Sequence, residues 1–207
     1  MEAACCQAYC GIDDYLAKGG KQETVDKARS AVTATKYQIL TFNNELIEAT
    51  YFSCSGGRTE DAVAVWGAEI PYLQAVDSPG EEQATHYTDS LRFSKQEFVN
   101  LLNISPKGQP STWIGKITYT NGGGVDTIEI GGKSFKGTDL RKLLGLRSTV
   151  FTITAVGDTV HIVTKGFGHR VGMSQYGAEA MAVKGETYIQ ILSHYYPGTE
   201  LKDYLQN

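Results

Sequence analysis

The sequence predicts a mixed α+β fold that is strand-rich, with helices at its periphery. Three observations predict it: short β-branched runs separated by glycine turns, apolar residues at helical spacing towards both ends, and no internal repeat. The chain has 207 residues, 41% of them hydrophobic. That size is enough to bury a core in one domain or in two small lobes.

The N-terminal half contains a predicted helix, a hairpin and an irregular stretch. Apolar residues recur at helical spacing over 23–36, between lysines and an arginine. Two β-prone runs, 38–42 and 45–52, flank an Asn-Asn turn and predict a hairpin. Prolines and a Ser-Pro-Gly turn predict that 66–83 is a loop.

The C-terminal half alternates short strands and short helices. Ser94 and Glu97 have the spacing of a capping box, and Thr138 is predicted to cap a later helix that Gly145 closes. The predicted helices are 95–102, 139–144, 173–183 and 187–196. The predicted strands are 112–120, 125–130, 133–136, 149–156 and 159–165.

Charge and hydropathy exclude some classes of partner. The formal net charge is −4, which gives no bulk attraction to nucleic acid or to anionic lipid. No stretch approaches the ~20 apolar residues that cross a bilayer. The first residues also lack the basic and apolar regions of a signal peptide. We therefore expect no nucleic-acid partner and no membrane segment in this chain.

The cysteines leave several alternatives open. Cys5, Cys6 and Cys10 crowd the N-terminus, and Cys54 follows much later. Free thiols, a Cys10–Cys54 disulfide and zinc binding by the cluster are each compatible with this pattern. Zinc at Cys5 and Cys6 is not expected, because three thiolates with two adjacent do not complete a tetrahedron. We therefore expect no cofactor.

Two glycine-rich polar segments, 53–60 and 168–177, are the candidates for a binding or catalytic site. Flexible backbone beside hydroxyl, amide and imidazole groups suits sugar recognition, and Trp66, Tyr72 and Tyr176 could stack on sugar faces. The alternative is that the glycines serve turns and the aromatic rings fill the core. A second alternative pairs the Cys54 thiol with the His169 imidazole as a nucleophile. The chain has no HExxH, Walker or Rossmann motif.

The same two segments resemble the signatures of a known family. Residues 51–60, with Val65-Trp66-Gly67 and Pro71-Tyr72-Leu73, resemble the central signature of the stage II sporulation protein D (SpoIID/LytB) family. Residues 168–178, with Tyr195-Tyr196-Pro197-Gly198-Thr199, resemble its C-terminal signature. The resemblance covers about residues 6–201.

The resemblance implies a cell-wall function. The family includes lytic transglycosylases that cleave peptidoglycan glycan strands freed of stem peptides, during engulfment in sporulation, and another branch that enhances an amidase. Its members are usually membrane-anchored and extracytoplasmic. We therefore expect residues 1–207 to form a peptidoglycan-acting domain that faces the cell wall. Its expected partners are glycan strands and other engulfment or amidase proteins, and the alternative is a non-catalytic glycan-binding or amidase-enhancing module.

The resemblance also implies a binding cleft in which the two segments converge. The residues expected to line it are Ser53, Ser55, Gly56, Gly57, Thr59, Glu60, His169, Ser174, Gln175 and Tyr176.

Three departures from the family pattern bear on chemistry. The family's general acid is a Glu on a helix before the Cys6-Gln7-Ala8-Tyr9 stretch, and we expect it upstream of Met1. The catalytic residue is therefore unknown, and Glu60 is the remaining acidic candidate, although a role in orienting its loop is favoured. We expect weak binding of denuded glycan and no release of anhydro-sugars.

The other two departures concern a metal site and a single arginine. At least one family member binds zinc near the Cys6-Gln7-Ala8-Tyr9 stretch, where Cys5 replaces a His. Arg170 stands where many relatives have Gly, and it either faces the glycan or is merely exposed.

Overall fold

A computed structural model describes residues 10–206. The chain divides into two compact units, Met1–Ile39 with Leu201–Asn207, and Leu40–Glu200. The helices are α1 (Ile12–Ala17), α2 (Gln22–Ala34), α3 (Ala62–Trp66), α4 (Lys95–Leu102), α5 (Gly137–Leu143), α6 (Gln175–Val183) and α7 (Tyr188–Tyr195). The strands are β1 (Gln38–Phe42), β2 (Glu45–Leu46), β3 (Tyr51–Phe52), β4 (Thr88–Ser94), β5 (Ile114–Tyr119), β6 (Val125–Ile130), β7 (Lys133–Lys136), β8 (Val150–Val156), β9 (Thr159–Lys165), β10 (Met173–Ser174) and β11 (Glu200–Asp203). The predicted mixed α+β class is confirmed.

The first unit contains the helix pair α1 and α2. The helix predicted over 23–36 is confirmed as α2, whose one buried side chain is Val25. A mostly apolar hollow of about 590 Å³ lies among Ile12, Tyr15, Val25 and Val32. Within the described part of the chain, no helix has the length and apolar character needed to cross a membrane.

The second unit contains two antiparallel three-stranded sheets. Their strand orders are β4-β9-β8 and β5-β6-β7. Strand β4 pairs with β9 from Thr88–Lys165 to Ser94–Thr159. The inner faces of these sheets and helices α4 and α5 enclose one apolar core, which includes Phe98, Leu102, Trp113, Ile128, Ile130, Leu140 and Ile162. Burial of this apolar surface is the main stabilising contribution.

A second apolar cluster of the same unit lies beneath α6 and α7. It contains Ala62, Leu73, Val171, Met181, Ile191, Tyr195 and Tyr196. Because Leu73 belongs to the central signature and Val171 to the C-terminal signature, residues of both signatures pack into this cluster.

The predicted hairpin is only partly correct. Its turn is confirmed, since Asn43 and Asn44 have φ of 51° and 67° between β1 and β2. The second strand, however, ends at Leu46. Residues Tyr51 and Phe52 form β3, which pairs in parallel with β10. A partner more than 100 residues away therefore decides the conformation of this segment.

Of the two predicted helix N-caps, one is confirmed and the other is wrong. The Ser94 capping box is confirmed by the hydrogen bonds that Ser94 and Glu97 exchange. Thr138 is not a cap, because α5 begins at Gly137, two residues before the predicted start, with Lys136 as N-cap and no side-chain cap bond. A Cβ on Gly137 would lie 1.8 Å from the Val125 carbonyl oxygen, so glycine allows the helix to start against β6.

Candidate functional site

The two signature segments lie directly against each other. Strands β3 and β10 pair, and Cys54 and Phe167 exchange backbone hydrogen bonds of 3.2 and 2.7 Å. The Glu60 amide then donates to the Arg170 carbonyl at 2.6 Å. The prediction that the segments come together is confirmed.

A buried carboxylate, that of Glu81, organises the first segment. Its oxygens accept hydrogen bonds from the backbone amides of Ser55, Gly56 and Gly57 at 2.9 to 3.2 Å. The hydroxyls of Ser55 and Ser78 donate at 2.7 and 2.8 Å, and the Ser174 hydroxyl donates from the second segment. Sequence patterns missed Glu81, because it lies in the irregular 66–83 stretch without any periodic signal.

Arg170 lies inside the protein, so both predicted alternatives for it are wrong. Its side chain is 1% exposed, and its φ of 70° is a left-handed conformation that favours glycine. The guanidinium donates to the carbonyls of Ser55 at 2.8 Å, Arg58 at 2.7 Å and Gly122 at 2.5 Å. It also pairs with Glu60 at 3.4 Å. These bonds offset the strained backbone and hold the two segments together.

Glu60 is buried too, with only 1% of its surface exposed. Besides Arg170, its carboxylate accepts hydrogen bonds from the Thr120 hydroxyl at 2.5 Å and from the amides of Asp61 and Gly122 at 3.1 Å. Protein donors therefore surround both of its oxygens, and this arrangement orients the loop from within.

The remaining predicted site residues separate by exposure. Ser55, Thr59 and Ser174 are fully buried and hydrogen-bonded within the protein. The predicted site residues that are at least partly exposed to solvent are Ser53, Gly56, Gly57, His169, Gln175 and Tyr176. The small polar residues of the signatures thus divide between internal support and the surface.

His169 lines an open cleft of about 200 Å³. The cleft residues are Val65, Trp66, Thr138, Arg141, Lys142, Thr149, Gly168 and His169. Trp66 is 45% exposed, and its ring centroid lies 5.4 Å from that of His169, which also packs against Phe52 at 5.6 Å. A second hollow of about 150 Å³ shares Val65, Thr138 and Thr149 with this cleft.

The cleft favours a neutral imidazole. Burial, and after it the positive charge of Arg141, lower the pKa of His169, while a hydrogen bond to the Tyr51 backbone acts in the opposite direction. Nδ1 accepts a hydrogen bond from the Val171 amide at 3.1 Å. The proton of the neutral ring is therefore on Nε2, where it serves the hydrogen bond to the Tyr51 backbone. Sequence patterns missed Arg141 and Lys142, since both lie on a helix predicted as peripheral.

The described cysteines do not support the bonded alternatives. Cys10 and Cys54 are both free thiols in this structure. Burial, and after it the charge of Glu81, raise the pKa of Cys54 to about 11, and the thiol points at the His86 carbonyl. It is therefore not an activated nucleophile beside His169.

The expectation that the N-terminal cysteines bind no zinc remains a prediction. Cys5 and Cys6 lie outside the described residues. Over residues 10–206, no cluster of three or more His, Cys, Asp or Glu side chains is arranged to hold a metal ion.

The fold and site define a class of protein, a mixed α+β domain in which two distant glycine-rich signatures interlock beside an aromatic cleft. No family model matches the chain. It is 44% identical over 187 residues to "Stage II sporulation protein D" of Bacillus subtilis (strain 168), which is 89% of this chain and 54% of that protein. The protein of the same name from Bacillus amyloliquefaciens is 44% identical over 182 residues, covering 87% and 52%.

A more distant relative is "Amidase enhancer" of Bacillus subtilis (strain 168), with 30% identity over 230 residues, 84% of this chain and 32% of that protein. The chain belongs to the stage II sporulation protein D family. It spans about half the length of the sporulation proteins that it matches.

Proposed function

We propose that this chain holds peptidoglycan glycan strands, as part of a domain that cleaves peptide-denuded strands as a lytic transglycosylase in sporulation. The cleft where the two signatures meet, with Trp66 and His169 facing the same space, is the observation behind this proposal. Two relatives named as sporulation proteins and one named as an amidase enhancer support a role at the cell wall. Such a domain acts on the extracytoplasmic side.

The cleft has the groups that bind a sugar. An exposed indole supplies a flat apolar surface for a pyranose face. The hydroxyls of Thr138 and Thr149 supply polar contacts around it, and the imidazole of His169 packs beside the indole. A few polar groups placed on an aromatic wall fix the orientation of a ligand whose own surface is part apolar and part hydroxyl.

Cleavage requires more than holding the strand. A lytic transglycosylase needs an acid to protonate the glycosidic oxygen and a base to take the hydroxyl proton as the anhydro ring closes. Glu60 and Glu81 are both 1% exposed and surrounded by protein donors, so we assign neither this role. The family resemblance implies that the general acid lies on a helix preceding residues 6–9.

A second candidate is a non-catalytic glycan-binding or amidase-enhancing module. It is favoured by the burial of the Glu60 and Glu81 carboxylates and by the relative named for amidase enhancement. In this case the cleft would position the strand, and a partner enzyme would act on it.

Cosedimentation of the chain with amidase-treated, peptide-denuded peptidoglycan tests the proposal. We expect binding that falls at least about fivefold in Trp66→Ala and His169→Ala, because the stacking surface and the ring that packs against it are lost. Tyr188→Ala is the matched control, since this aromatic side chain is also exposed but lies on α7, outside the cleft.

Analysis of the supernatant from the same cosedimentation experiment bears on the choice between the two candidates. Anhydro-sugars in the supernatant support the transglycosylase, while binding without their release supports a role of this chain in holding the strand. If the chain stayed in the supernatant with denuded and with intact peptidoglycan alike, both candidates would be rejected.

A further inference from the structure

We propose that the cleft beside His169 is a carboxylate subsite, and that its ligand is the free lactyl carboxylate of N-acetylmuramic acid. This rests on the proposed function, because it specifies which group of the glycan strand the cleft recognises. The consequence is selection of peptide-denuded strands by charge.

The charges that line the cleft all have one sign. Arg141 and Lys142, consecutive residues of α5, both face it, and no lining residue is an Asp or Glu. The adjoining hollow is mixed, with Lys136 beside Glu60 and Asp126. A negatively charged group is therefore attracted to the His169 end specifically.

Arg141 is positioned to bind an anion. Its Nε donates to the Arg147 carbonyl at 3.2 Å, which fixes the side chain and leaves the Nη nitrogens for a ligand. Burial lowers the pKa of this guanidinium, so the charge is partly desolvated before any ligand arrives. A planar guanidinium in such surroundings forms strong paired hydrogen bonds with carboxylates.

The aromatic and cationic groups occupy the same small space. Trp66 lines the cleft together with Arg141 and His169. A ligand that has an apolar ring face and a carboxylate on one molecule matches both features. N-acetylmuramic acid is such a sugar, whereas N-acetylglucosamine has the ring without the acid.

The lactyl group is negatively charged only when no stem peptide is attached to it. In an intact strand the peptide is joined to this group by an amide bond, which removes its negative charge. Once an amidase has cleaved that bond, the carboxylate is free. A cationic subsite therefore binds the denuded sugar more tightly than the peptide-bearing one, without any contact to the peptide.

Calorimetric titration with matched tetrasaccharides tests this proposal. The ligands are a glucosaminyl-muramyl tetrasaccharide with free lactyl groups, the same compound as its lactyl methylamide, the peptide-bearing muropeptide, and chitotetraose. We expect the free acid to bind at least about tenfold more tightly than the methylamide. Equal binding of the muropeptide and the free acid would instead assign the carboxylate to the peptide, and would overturn the lactyl assignment.

Arg141→Gln should remove most of this preference. Its affinity for the free acid should fall at least about tenfold, while that for chitotetraose changes by less than about twofold. Arg92→Gln is the matched control, because Arg92 is an exposed arginine on β4 outside the cleft. Loss of affinity for all four ligands in Arg141→Gln would indicate a structural role and overturn the proposal.

The ionisation of His169 gives an independent readout. Because the charge of Arg141 helps to lower its pKa, that pKa should rise in Arg141→Gln and on binding of the free acid, but not on binding of the methylamide. A pH titration of the histidine ring protons by NMR measures this, with His169→Asn identifying the resonance among the 4 histidines. Comparable binding of the acid, the methylamide and chitotetraose would reject the subsite alone, whereas binding of no ligand would reject the proposed function as well.

Discussion

At the scale of single residues, two buried glutamates explain much of the polar character of the signatures. Glu81 binds the amides and hydroxyls of the first segment and the Ser174 hydroxyl of the second, and Glu60 pairs with Arg170. Buried carboxylates persist only when hydrogen bonds and opposite charges compensate for lost solvation. The serines and glycines around them are therefore needed for the loop conformation, whether or not a ligand is bound.

Replacing Glu81 by Gln should destabilise the protein by about 3 kcal/mol. The amide nitrogen would face hydroxyl and amide donors where a carboxylate oxygen accepted their bonds. The measurement is the free energy of unfolding in urea. Glu82→Gln, at the exposed neighbouring position, is the control and should change it by less than about 0.5 kcal/mol. Equal stability of the two variants would mean that the Glu81 network does not hold the loops.

Residue types alone predicted only a small part of the cleft, since Ser53, Gly56, Gly57, Gln175 and Tyr176 are accessible but do not line it. His169 was predicted as a site residue and Trp66 as a stacking ring, and both line the cleft. Arg170 was expected at the surface, since an arginine in a glycine-rich loop is usually solvated. Its burial depends on carbonyls of Ser55, Arg58 and Gly122, which only the tertiary fold brings together.

At the scale of elements, local signals predicted what local interactions stabilise. Helix α4 has its capping box within four residues, and the Asn-Asn turn fixes its own conformation, so both were predicted correctly. Strand β4 was missed because its residues are mainly polar and none is fully buried. Strand β3 was assigned to the wrong partner, since its pairing with β10 depends on residues far along the chain.

In helix α6, a glycine-to-alanine substitution, which usually stabilises a helix, should destabilise the protein. Gly→Ala in a helix interior normally gains about 1 kcal/mol. A Cβ on Gly177 would lie 2.1 Å from both the Ser78 hydroxyl and the Tyr195 phenol oxygen, so we expect Gly177→Ala to destabilise the protein by about 1–3 kcal/mol.

Thermal unfolding of this variant beside Ala182→Gly measures the effect. Ala182 is exposed on the same helix, so its replacement should cost only the helix propensity, about 1 kcal/mol. A Gly177→Ala protein more stable than the wild type would show that α6 does not pack this closely on Tyr195.

Helix α7 and the residue after it should make stability depend on alkaline pH. Burial raises the pKa of Tyr195 and of Tyr196 to about 12, while an unfolded chain has tyrosine pKa values of about 10. Above pH 10 the unfolded state therefore holds fewer protons than the folded state, and stability falls as pH rises. Urea unfolding between pH 8 and 11 measures this decline. It should be shallower in Tyr195→Phe and Tyr196→Phe, and an unchanged slope in both variants would contradict the assignment.

At the scale of the whole molecule, the cleft is contained in the unit Leu40–Glu200. Its walls come from α3, α5 and the C-terminal signature, which are far apart in sequence. Periodicity and composition could not place these together, because contacts of large sequence separation leave no local pattern. The resemblance of both segments to one family did predict that they meet, and the pairing of β3 with β10 confirms it.

The location of bound glycan tests the central claim most directly. Titration of isotope-labelled chain with a peptide-denuded glycan tetrasaccharide should shift backbone amide resonances of residues 51–60 and 166–176 together, along with the indole resonance of Trp66 and those of Arg141 and Lys142. Trp66, Arg141 and Lys142 line the cleft with Gly168 and His169, and residues 51–60 adjoin this segment through the pairing of β3 with β10. Shifts confined to one signature, or to the apolar hollow of α1 and α2, would contradict a shared glycan site.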